Sequence, residues 1–134
     1  MNAERLGIAR RFAACPKWEW FAGMVALRLD GDEVVSSIRI DVLDDVVSMA
    51  FHGTSTDGHA VRFPVRGRVP DLDDDLTSLG VLAVVRRAWN DPTASVRFVD
   101  RTPLESVWEC RGRWVCYGAT EELALLAALE SAPK

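Results

Sequence analysis

Tryptophan and arginine recur together in this chain, and the closest grouping is WECRGRWVCY, Trp108 to Tyr117. The segment reads as a tight hairpin about Arg111-Gly112, with Arg111 and Arg113 at the tip and Trp108 and Trp114 beside them. Aromatic rings next to guanidinium groups suit stacking on a base and clamping a phosphate. They suit a protein–protein hot spot equally well. Arg111, Arg113, Trp108 and Trp114 are therefore the candidate binding residues. The competing arrangement is purely structural: tryptophans in the core and arginines on a solvated strand face.

Four other groupings could do chemistry. His52 and His59 flank the loop Gly53 to Gly58, GTSTDG, and with Asp57 they offer three metal donors. Zinc needs three or four convergent ligands, whereas strand parity places His52 away from Phe51 and His59 with Val61 and Phe63, so the pair diverges. The loop could cradle a phosphate, but it lacks a P-loop lysine and leads into no helix. Ser55 has no evident base to activate it. Cys110 and Cys116 could form a metal or redox pair, but a two-residue loop at Arg111-Gly112 puts their sulfurs on opposite faces. No Cys-x-x-Cys knuckle is present. Asp71, Asp73, Asp74 and Asp75 could attract a hard cation, yet helix capping and first-turn electrostatics explain them as well. The reading is thus no catalytic residue, no metal site, no disulfide and no cofactor.

The elements that position these residues follow from periodicity. Residues 3 to 14 form an amphipathic helix with Asn2 as N-cap, ended by Cys15-Pro16. Trp18, Trp20 and Phe21 follow as an extended aromatic segment. Four strands come next, at 24–30, 33–41, about 47–51 and 61–65. Asp30-Gly31-Asp32 makes the first turn, and a two-residue loop would place Val25, Leu27 and Leu29 on the same side as Val34, Ser36, Ile38 and Ile40. Pro64 cannot donate to a ladder, so the fourth strand is an edge. The stretch Pro70 to Asn90 holds the central helix, spanning about Asp75 to Asn90, opened by Pro70 and the aspartates, carrying Arg86 and Arg87 near its end and stopped by Asn90-Asp91-Pro92. Its apolar residues surround the axis, which predicts burial on more than one side. Three short strands and a helix capped by Thr120, Glu121 to Leu129, complete the chain. The order α-β-β-β-β-α-β-β-β-α predicts one α+β domain spanning 1–134, a mainly antiparallel sheet packed with three helices.

Composition bounds the function. The chain has 134 residues, 49% hydrophobic and 27% charged, as expected of an ordinary globular fold. A net charge of −4 argues against general nucleic-acid binding. No apolar run reaches membrane-spanning length and no signal-peptide pattern opens the chain, so the expectation is a cytoplasmic protein with Cys15, Cys110 and Cys116 reduced.

The segments ACPKWEWFAGM, PDLDDDLTSLGVLAVVRRAWN and GATEELALLAALE resemble a family of small proteins encoded by phages and prophages. In that family a Cys-Pro-x-Trp-x-Trp motif follows the first helix, and a Pro-Asp-Leu-x-Asp segment opens a Leu-rich helix ending in Arg-x-Ala-Trp. The C-terminal half also looks like the small α-β-β-α sandwich proteins of phage genomes. The resemblance implies phage origin, a bacterial host cytoplasm and an α+β fold; it carries no activity and no catalytic residue. The expected function is a non-enzymatic accessory protein that binds a host protein, counter-defence being one such role. The alternative is a small nucleotide or ligand binder using Trp and Arg. A small hydrolase or nuclease is the least favoured.

Overall fold

The computed structural model describes residues 1–43, 50–55, 60–64, 66–102 and 105–133. The element order expected from sequence is found, with one addition, a two-residue strand before the central helix. The elements are α1 (Ala3–Ala14), β1 (Val25–Asp30), β2 (Glu33–Leu43), β3 (Ala50–Ser55), β4 (Ala60–Pro64), β5 (Val69–Pro70), α2 (Asp75–Trp89), β6 (Ser95–Thr102), β7 (Glu105–Arg111), β8 (Val115–Gly118) and α3 (Glu121–Glu130). The fold is α+β, with two antiparallel sheets ordered β4-β3-β2-β1-β5 and β6-β7-β8. By contacts the chain groups into two compact units, Met1–Ala13 with Trp20–Gly80, and Ala14–Glu19 with Val81–Lys134.

In the first unit β1 to β4 form the expected antiparallel meander, and β4, with Pro64, stands at the sheet edge. β3 is displaced from expectation, however: Gly53, Thr54 and Ser55, expected in a loop, pair with β2 or β4 as strand, while residues 44–49 lie outside the described residues. The β1–β2 register differs from expectation. Leu29 pairs with Val34, but Arg28 pairs with Ser36, so Val35 is an inserted residue. A one-residue slip moves every later side chain to the other face. Beyond the bulge Leu27 therefore opposes Ser37, and Ala26 opposes Ile38. Val25 and Leu27 lie on one face and Ala26 and Ile38 on the other, and all four are buried.

The aspartate run is a helix start. Asp74 Oδ2 accepts the Thr77 amide (3.0 Å) and the Thr77 hydroxyl (2.9 Å), while Thr77 Oγ1 accepts the Val25 amide (2.8 Å). Arg39 closes the network as a fork, its Nη2 2.7 Å from Asp74 Oδ1 and its Nη1 3.2 Å from Oδ2. Arg5 reaches from α1 to Asp73 and to the Leu72 carbonyl. On α2, Val81, Val84 and Val85 are buried and Leu82 is half-buried, but Leu76 and Leu79 are 55% and 71% exposed. The expected burial on more than one side thus fails at the helix's first two turns, where Leu76 and Leu79 face solvent. At its end Asn90 takes the left-handed conformation (φ 50°) and the Asp91 amide donates to the Arg86 carbonyl at 2.9 Å, a helix-terminating turn that asparagine tolerates.

Trp18 and Trp20 do not continue an extended strand. A turn forms, with the Trp18 amide donating to the Cys15 carbonyl (3.0 Å), and both indoles are half-buried. In the second unit α3 packs on β7 and β8. Thr120 caps it as expected, Oγ1 accepting the Leu123 amide at 3.2 Å.

Candidate functional site

The register of the second sheet decides what the tryptophans and arginines can do. Arg111 pairs with Val115 and Cys110 with Cys116, so the turn is Gly112-Arg113-Trp114. That is three residues, where the sequence suggested two. The physical reason is Asp91. Its Oδ2 accepts the Arg113 amide (3.1 Å), and its Oδ1 accepts the Thr93 amide (3.0 Å) and hydroxyl (2.6 Å). A Cβ at residue 112 would overlap Asp91 Oδ2, so only glycine lets the carboxylate reach the turn. Asp91 is 3% exposed. The Thr93 hydroxyl, followed by the Arg113 and Thr93 amides, holds its carboxyl below the usual range against the opposing effect of burial. In sequence Asp91 looked only like part of a helix stop; nothing local links it to a turn some twenty residues on.

The odd loop length reverses the expected cysteine parity. Directly opposed residues on an antiparallel pair share a face, so Cys110 and Cys116 lie on the same side of the hairpin. That side also holds Trp108 and Gly118, and it is the side under α3, because a Cβ at 118 would overlap the Ala124 backbone. All three cysteines are free thiols. Burial pushes Cys110 up to about 12, with Cys116 adding to the effect.

The opposite face is open. Arg97, Glu109 and Tyr117 lie side by side across β6, β7 and β8, and Arg111 and Val115 form the next rung. Glu109 is nearly buried there, its Oε1 taking Arg97 Nε at 3.1 Å and Arg111 Nη1 at 3.4 Å. One carboxylate thus stands between two guanidinium groups whose side chains are 60% and 51% exposed. Val115 and Tyr117 are exposed beside them.

The four candidate residues are therefore not one cluster. Arg111 lies on the open face, joined by Arg97, and Arg113 is exposed at the tip. Trp108 is on the covered face, edge-on to Phe98 with centroids 5.6 Å apart. Trp114 folds back onto Trp89, stacked at 4.6 Å and 17°, and Trp89 Nε1 donates to the Ala128 carbonyl at 2.8 Å. Tyr117, Val115 and Arg97 join the surface where the tryptophans do not. Period-2 alternation from Arg111 could have found Glu109 and, with the correct loop length, Tyr117.

Among the described residues no three His, Cys, Asp or Glu side chains are grouped to hold a metal, and no helix is long and apolar enough to cross a membrane. His59 and residues 56–58, Asp57 among them, lie outside the described residues, as does the side chain of His52, while Gly53–Ser55 are the end of β3 and not part of a loop. Compared with protein-family models, with curated proteins and with solved structures, the chain matches none.

Proposed function

We propose that this chain is a non-enzymatic phage accessory protein that binds an acidic surface of a host protein through the open face of β6-β7-β8 and the tip of its hairpin. The observation that carries this reading is the arrangement of Arg97 and Arg111 about the single carboxylate Glu109, with Arg113 at the adjoining tip. Three cations against Glu109 and the buried Asp91 carboxylate leave a locally positive patch on a chain of net charge −4. Exposed Val115 and Tyr117 supply apolar contact area beside it. Arginine and tyrosine are enriched at hot spots, and a positive patch steers an acidic partner. The phage resemblance of the sequence segments is what makes a host protein the partner.

The test compares wild type with the Arg111→Glu, Arg113→Glu double variant as bait in host lysate, followed by titration of whatever wild type alone retains. The reading expects an acidic protein whose affinity falls at least about tenfold in the variant, ~1.4 kcal/mol, and weakens as salt rises. Equal retention by both baits would overturn it.

A further inference from the structure

We propose that Cys110 and Cys116 are a thiol oxidation site that closes reversibly to a disulfide across the β7–β8 hairpin. The inference is independent of the partner-binding reading. It rests on their direct pairing in register and on both being free thiols on one face of the hairpin. Opposed residues on an antiparallel pair have Cα atoms about 4.5–5.5 Å apart. A disulfide accepts about 4.4–6.8 Å. The spacing of a directly opposed pair thus falls within the span a disulfide accepts.

The two thiols differ in access, and the difference orders the chemistry. Cys110 is fully buried, whereas Cys116 is partly exposed. The oxidant is a low-molecular-weight disulfide such as oxidised glutathione. The Cys116 thiolate attacks one of its sulfurs, the small-molecule S–S bond breaks, and one glutathione leaves, taking up the proton that Cys116 lost. Cys110, as thiolate, then attacks the Cys116 sulfur and expels the second glutathione, which takes up the proton from Cys110. The protein loses two electrons and two protons, and the oxidant gains both. Burial raises both thiol pKa values, so both exchange steps quicken as pH rises. Cys15, the remaining thiol, is engaged elsewhere: its sulfur lies 3.9 Å from the Leu129 carbonyl.

The test incubates the full chain with oxidised glutathione at pH 8, traps free thiols, and reads intact mass and a peptide map. The expected product has lost two hydrogen atoms, yields a Cys110–Cys116 linked peptide, and reverts with dithiothreitol. Cys110→Ser should stop at one glutathione on Cys116. The wild-type product decides the matter even if that variant does not fold. A glutathione adduct that persists on Cys116 of wild type, a disulfide joining Cys15 to either of the pair, or Cys110 and Cys116 both recovered as free thiols would each overturn the proposal.

Discussion

At the residue scale, single carboxylates set local geometry in both units. Asp74 caps α2 and receives Arg39, whose hydrogen bond is the chief reason its carboxyl sits below the usual range. A depressed carboxylate pKa adds stability that is complete above the unfolded value, about 3.9, and is lost as pH falls through the lower folded value. Asp74→Ala should cost about 1–2 kcal/mol at neutral pH, the usual worth of a cap, and should flatten the acid limb of a urea-midpoint-against-pH curve. Asp71 has the opposite sign, since burial raises its carboxyl. Its contribution falls as pH rises from the unfolded toward the folded value. Asp71→Asn keeps an oxygen for the Asp73 amide (3.0 Å) and should be neutral or stabilising at pH 7 in the same assay. Asp91 is the residue least legible in sequence, because beyond the local Thr93 its partners Gly112 and Arg113 lie some twenty residues on. Asp91→Ala should speed amide exchange at Arg113 and Thr93 while leaving Thr77 unchanged.

At the element scale, helices were read more accurately than strand register. Asn2, Asp74 and Thr120 each accept the amide three residues on, and such caps are local signals. Registers depend on one inserted residue, and neither Val35 nor a third turn residue carries a mark that a sequence shows. Hence the β1–β2 faces and the Cys110–Cys116 parity came out reversed. β5 is two residues long and has no periodicity to detect. On α2 the apolar pattern could not distinguish the buried from the exposed stripe. Val85→Ala should cost about 1–3 kcal/mol through lost burial and cavity, whereas exposed Leu79→Ala should stay within about 0.5 kcal/mol, both by chemical denaturation. Under α3 the limit is backbone: Gly118→Ala forces a methyl against Ala124 and should cost about 1–3 kcal/mol or more.

At the scale of the whole molecule, the chain is acidic, while the open face of β6-β7-β8 carries Arg97 and Arg111 with Arg113 at its tip. Sequence supplied Arg111 and Arg113. The structure adds Arg97, Glu109 and Tyr117, and turns Trp108 and Trp114 toward intramolecular contacts. That separation changes the expected partner contact from indole stacking to arginine fork and tyrosine. The most direct measurement is hydrogen exchange of the chain alone and with the captured partner. Binding through this surface predicts slowed exchange confined to Ser95–Val99, Glu109–Val115 and Tyr117. Protection that spares these segments and falls on the first unit instead would contradict the account.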